Sequence, residues 1–180
     1  MRISKEDCLG VTIDIQEKLF PLMYDNESLL YHTEILIQGL TALGVEQVLT
    51  EQYPQGLGET VYGIGELLEE SELIEKTSFS CCEERSFEEL VVASGKKYII
   101  ISGIETHVCV LQTALDLLEL GKIPVIVEDC TSSRKLNNKK VALRRLEKEG
   151  AIITTYESIL LELCRNSKAE EFKAISKLIK

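Results

Sequence analysis

Tyr98-Ile99-Ile100-Ile101-Ser102-Gly103-Ile104-Glu105-Thr106-His107-Val108-Cys109-Val110 passes from an unbroken apolar run into a helical pattern. The run from Tyr98 to Ile101 reads as a buried strand. Beyond the quoted residues, Leu111, Ala114, Leu115 and Leu118 recur at helical spacing. Cys109 therefore falls in the first turn of a helix, just past the carboxyl end of a strand. Helix N-termini carry unpaired N–H groups and a partial positive charge, both of which favour a thiolate. A nucleophilic thiol would be placed there, although a cysteine is more often a small buried hydrophobe.

On both sides of this stretch, strand-like and helix-like segments alternate. Residues 8–13 form a first strand, and apolar residues at helical spacing over 29–43 form a helix ending at Gly44. Val48-Leu49 is a short second strand, 65–70 a helix and 72–75 a third strand. Ser86 is placed to cap a helix through Ala93, with Glu89 at the capping-box position and Gly95 closing it. Strand four covers 97–102, and the Cys109 helix runs to Leu120-Gly121. Strand five is 124–127, followed by a charged amphipathic helix over 137–149. Strand six is 151–154, and two helices follow near 156–164 and 168–180. This pattern predicts one α/β domain over 1–180, a three-layer sandwich with a six-stranded, mostly parallel, doubly wound sheet.

Thirty acidic against twenty basic residues give a net charge of −10. That balance argues against nucleic acid or an anionic membrane as a standing partner. No apolar stretch approaches the roughly eighteen residues of a membrane span. The opening Met-Arg-Ile-Ser-Lys-Glu-Asp lacks a hydrophobic signal core, so a cytoplasmic location is expected. The six cysteines (Cys8, Cys81, Cys82, Cys109, Cys130, Cys164) include no C-x-x-C pair and are expected to be free thiols.

Ligands of such sheets bind beyond the carboxyl ends of the strands. Those ends carry Asp14, Glu51-Gln52-Tyr53, Lys76, the 103–109 stretch and Glu128-Asp129. An acid, an ammonium and a thiol thus share one rim. A carboxylate can take a thiol's proton, and a lysine beside both would offset the charge and hold the carboxyl pKa down. N–H groups at the start of the helix could form an oxyanion hole, which suggests acyl transfer through a thioester. Each residue has another reading. Asp14 fits the cap of a short helix over 16–20, Lys76 a solvated surface lysine, and Glu128 and Asp129 caps for the turn at Thr131-Ser132-Ser133. His32 and His107 are the only histidines and form no zinc ligand cluster. His107, two residues from Cys109, points elsewhere on a helix and reads as packed or capping. Gly56-Leu57-Gly58 and Gly63-Ile64-Gly65 form no dinucleotide fingerprint and read as a flexible loop.

Four ordered stretches carry a family resemblance: Asp14-Ile15-Gln16-Glu17-Lys18, Thr50-Glu51-Gln52-Tyr53-Pro54-Gln55-Gly56-Leu57-Gly58, Lys76-Thr77-Ser78-Phe79-Ser80, and the run from Gly103 through Thr113. Over roughly 7–165 the chain resembles the isochorismatase-like cysteine hydrolases, in particular their short domain-containing members. The resemblance implies an Asp14, Lys76 and Cys109 triad. Cys109 would be the nucleophile, Asp14 the proton acceptor and donor, and Lys76 the residue that orients the pair. It also implies a cis peptide at Ile104–Glu105, with the Glu105 and Cys109 amides as candidate oxyanion donors. Phe20, Gln52 and Tyr53 become candidates for the substrate pocket. Nicotinamidases of the same superfamily hold a metal through Asp and His after strand two. Here Thr50-Glu51-Gln52-Tyr53-Pro54 has no histidine, so the expected chemistry is without metal or cofactor. The substrate expected is a small amide-like or related molecule. Homo-oligomers are implied, and Phe172, Ala174, Ile175, Leu178 and Ile179 could form a contact face or pack on their own domain. The alternative is an interaction protein that keeps the fold without catalysis.

Overall fold

The computed structural model describes residues 2–180. Among these residues, six strands form one sheet: β1 (Cys8–Ile13), β2 (Gln47–Gln52), β3 (Glu72–Lys76), β4 (Tyr98–Ile104), β5 (Ile123–Ser132) and β6 (Ile152–Thr154). Their spatial order is β3-β2-β1-β4-β5-β6, and every pairing is parallel. The sheet is thus all-parallel, as continuous apolar runs covered on both faces dictate. The helices are α1 (Asn26–Ala42), α2 (Pro54–Leu57), α3 (Tyr62–Leu67), α4 (Arg85–Ala93), α5 (Leu111–Glu119), α6 (Leu136–Glu149), α7 (Tyr156–Cys164) and α8 (Phe172–Leu178).

Strand alternation sorts the core into two layers. Leu9, Val11, Ile13, Ile99, Ile101 and Ile126 pack against Phe87 and Val91 of α4, Ala114 and Leu117 of α5, and Leu143 and Leu146 of α6. Cys8, Ile100, Val125 and Val127 face the other way, toward α1, α7 and α8. A third cluster joins α1 and α3 around Ile15, Ile37, Leu49 and Ile64. The last helix belongs to this packing: Ile175 is fully buried, and Phe172, Leu178 and Ile179 lie against the same cluster. Of its two readings, the one in which the C-terminal apolar residues pack on their own domain describes the structure.

Several boundaries differ from the sequence reading. The helix expected over 65–70 starts earlier, at Tyr62. Ser86 caps nothing: α4 begins at Arg85, with Glu84 in the capping position and no side-chain cap bond. Asp14 caps no helix over 16–20, since only a short 3-10 turn, Phe20–Leu22, forms there. The largest difference is in β5, which continues through Glu128 and Asp129 to Ser132. Its register against β4 jumps from Ile101↔Ile126 to Gly103↔Thr131, so β5 bulges by three extra residues. The residues that follow the carboxyl end of that strand are Ser133-Arg134, not Glu128-Asp129.

Candidate active site

The order of the sheet places β1 between β2 and β4, the point where the winding reverses and where α/β sheets open a crevice. Asp14 is the first residue past β1, and its backbone is left-handed, with φ of 54°. Aspartate tolerates this region better than most side chains. The turn points the carboxylate into the protein, where it is completely buried.

A buried carboxylate must find partners. Neighbouring strands supply them in sequence. Thr50 of β2, the Cα partner of Ile13, donates from Oγ1 to Asp14 Oδ1 at 2.8 Å. Lys76, the last residue of β3, donates from Nζ to Asp14 Oδ2 at 2.6 Å. The same ammonium donates to Gln52 Oε1 at 2.7 Å and lies 3.2 Å from both the Ser78 and Phe79 carbonyls. Gln52 is held in turn, since its N–H donates to Gln16 Oε1 at 2.8 Å and its Nε2 to the Thr77 carbonyl at 2.8 Å. Lys76 is therefore no surface lysine: its side chain has no exposure.

Cys109 arrives from the opposite side. After β4, the Ile104–Glu105 peptide is cis, and residues Thr106–Val110 form one wide π turn before α5 continues. Val108 and Val110 donate to the Glu105 carbonyl at 3.0 and 3.3 Å. Cys109 is buried, with 7% of the residue exposed. It is near enough to the Asp14 carboxylate for each to shift the other's titration, and it feels the charge of Lys76. Asp14, Lys76 and Cys109 are thus brought together. Cys81 shares the neighbourhood, with its N–H on Thr113 Oγ1 at 2.9 Å and its thiol 3.8 Å from Thr50 Oγ1.

The electrostatics depart from the expectation. Burial pushes the Asp14 carboxyl above the usual carboxylate range, and Lys76, Thr50 and the thiol pull it back only in part. Lysine does not hold this carboxyl down, because desolvation outweighs the attraction. Burial draws Lys76 downward most strongly, but the Asp14 charge and hydrogen bond, together with the Cys81 and Cys109 sulfurs, more than offset it and leave the ammonium above its usual value. Burial, followed by the Asp14 charge, pushes the Cys109 thiol up to about 12. At rest the sulfur therefore keeps its proton, and the helix start does not yield a standing thiolate.

The remaining candidates lie around this centre. Gln52 serves as an acceptor for Lys76. Tyr53 is about half exposed, with φ of 39°, and lines an open cavity of about 230 Å³ with Pro54, Glu75, Thr77 and Glu84. Phe20 packs on the Ile15 cluster. Glu51 is committed to the loop, accepting from Thr60 N and Oγ1 at 2.6 and 2.7 Å. A wider cleft of about 540 Å³ includes Glu51, Thr60 and Leu73 but none of Asp14, Lys76 or Cys109, so volume alone does not locate the chemistry. His107 is partly buried, with Nδ1 2.9 Å from Ser133 Oγ. Sequence reasoning missed Thr50 and the pair Glu105–Arg134. A threonine in the strand beside an acid-bearing strand was the available signal for Thr50.

Comparison with known proteins matches residues 8–158 to the Isochorismatase domain. Isochorismatase domain-containing protein 2 of Danio rerio is 36% identical over 178 residues, covering 99% of this chain and 89% of that protein. Isochorismatase domain-containing protein 1 of the same fish is 39% identical over 93% of this chain, which spans only 59% of that relative's length. The solved structure of MAR1 ribonuclease from Caenorhabditis elegans superposes with a TM-score of 0.94 at 36% identity, covering 99% and 92% of the two chains. YcaC of Escherichia coli, described as an octameric hydrolase of unknown specificity, shares the fold with a TM-score of 0.94 at 23% identity, over 99% and 89%.

Proposed function

This chain belongs to the isochorismatase family, and on that premise we propose that it is a cysteine hydrolase of small amide-like substrates. The family supports a hydrolase role. The observation that carries the finer reading is the fully buried Lys76–Asp14 pair set beside Cys109, the buried cysteine of the turn that follows β4.

A substrate carbonyl enters at the rim beside Cys109. The thiol, neutral at rest, gives its proton to Asp14 as its sulfur attacks the carbonyl carbon, so the base acts during attack rather than beforehand. A carboxyl raised by burial is a stronger base than an ordinary one, which suits it to this task. Lys76 stays charged throughout and orients the acceptor oxygen. The backbone amides of Glu105 and Cys109 receive the developing oxyanion. Asp14 then protonates the departing nitrogen, leaving a thioester. Water attacks that thioester with Asp14 again as base. None of the residues in this scheme requires a metal ligand set or a cofactor.

A second reading comes from the ribonuclease name of the nematode structure, under which the substrate is a phosphodiester. The two readings separate in one panel. Small aliphatic and aromatic carboxamides and a mixed-sequence RNA are offered to the wild type and to Cys109→Ala. The amide reading expects ammonia release that Cys109→Ala lowers by about a thousandfold or more, with an acyl adduct on Cys109 visible by intact mass. RNA cleavage that survives Cys109→Ala, with no amide turned over, would replace it. By analogy with the octameric relative, the working form is proposed to be a homo-oligomer.

A further inference from the structure

Glu105 is anchored in two directions. Its carbonyl accepts from Val108 and Val110 and so closes the turn that carries Cys109. Its side chain runs the other way, to the end of β5. There Arg134 Nε donates to Glu105 Oε1 at 2.7 Å, and the Arg134 backbone N–H donates to Oε2 at 3.2 Å. His107 Nδ1 stands 3.6 Å from Oε2, and its bond to Ser133 ties the same two segments together. Glu105 is 8% exposed, so its carboxylate depends on these partners, and one residue outside the cysteine motif supplies both hydrogen bonds.

We infer that Arg134 is a positioning residue: by clamping the Glu105 carboxylate to the end of β5, it fixes the Glu105 amide relative to the Cys109 sulfur. This rests on the thioester reading above. In that reaction the sulfur–carbon bond forms as the carbonyl pair moves onto oxygen, and the thiol proton passes to Asp14. The pair returns as the leaving group departs. An N–H aimed at that oxygen contributes only when its position is held, so loosening the clamp slows acyl transfer and leaves thiol reactivity alone.

Two probes separate these effects. p-Nitrophenyl acetate acylates sulfur through an oxyanion and expels p-nitrophenolate. Iodoacetamide alkylates the same sulfur at a saturated carbon, expelling iodide, with no charge developing on its carbonyl oxygen. Arg134→Met is expected to lower kcat for p-nitrophenolate release by about tenfold or more, with KM within about twofold of wild type. Its rate of iodoacetamide alkylation at Cys109, and the pH profile of that rate, stay as in wild type. Arg134→Lys, which still donates to Oε1, recovers part of the loss. The Arg134 side chain is 58% exposed, so an unchanged melting temperature is expected in both variants.

Equal kcat in Arg134→Met and wild type would overturn the inference. So would a matched loss in both reactions, which would mean that Arg134 acts on the thiol or on the fold. If wild type and Cys109→Ala release p-nitrophenolate equally, the thioester reading itself fails and the positioning role falls with it.

Discussion

In the proposed mechanism Asp14 concentrates both the chemistry and the backbone strain of the site in one residue. Its left-handed backbone turns a strand end inward, and its two oxygens are divided between Thr50 and Lys76. With the thiol pushed up to about 12 and the carboxyl raised above the ordinary range, the reactive form is the neutral thiol beside an ionised carboxylate. That form is lost as pH falls through the raised Asp14 pKa and persists until the thiol itself ionises. Iodoacetamide alkylation of Cys109 should therefore show an acid limb above the roughly pH 3.9 of an ordinary aspartate, then a plateau. In Asp14→Asn the limb disappears, the neutral-pH rate falls by about a hundredfold, and the rate climbs about tenfold per pH unit toward the thiol pKa. Identical profiles in the two proteins would remove Asp14 as the base. Asp14, Lys76 and Cys109 were legible as separate candidates because each stands at or just beyond the carboxyl end of a recognisable strand, and only the family resemblance joined them into a triad. Thr50 was less so, because a threonine inside a strand looks like any other β-branched residue.

The elements around β4 explain what was and was not readable. A continuous apolar run announces β4, but its register depends on Gly103, which faces Ile13 across the β1–β4 pair. Gly103 has φ of 139°, and a Cβ there would stand 2.3 Å from the Ile13 carbonyl oxygen. Both the dihedral and the contact forbid a side chain. Gly103→Ala is expected to cost at least about 3 kcal/mol in urea unfolding, whereas Gly44→Ala, left-handed but in open space, costs about 1 kcal/mol. Similar losses at the two sites would show that the β1–β4 approach is looser than described. The reading of β5 failed for a related reason. Pro124 to Val127 is an unbroken apolar run, but Glu128 and Asp129 in the three-residue bulge interrupt it, and the strand resumes beyond them. Arg134 was consequently assigned to no strand end and went unnoticed.

At the scale of the molecule, the winding order is what unites residues 14, 76 and 109 in space. Alternating strands and helices with right-handed crossovers predict a doubly wound sheet, and an order reversing beside β1 leaves Asp14 between the two halves. The architecture was therefore legible, since it depends on periodicity and handedness. The way individual loops close over the rim depends on side-chain bonds between distant segments, such as the Gln16 contacts with Gln52 and Gly58, which no local pattern reveals. The same limit applies to assembly. With its C-terminal helix packed on its own core, the chain would have to pair through other surfaces, and Leu22, Tyr24, Tyr53, Tyr62 and Phe79 are large side chains left at least half exposed. Light scattering coupled to size exclusion is expected to give a mass that is a multiple of 20.2 kDa. A mass of one chain at every concentration would remove the oligomer.

The surroundings of Lys76 carry a consequence for labelling chemistry. An ammonium has three hydrogens, and four oxygens compete for them here. No lone pair is on offer to an acylating reagent, and no solvent path reaches the nitrogen. Treatment with acetic anhydride under native conditions should modify the other lysines first and leave Lys76 bare in a peptide map, until the protein unfolds. A lysine-profiling survey would thus pass over the one lysine on which the proposed mechanism depends.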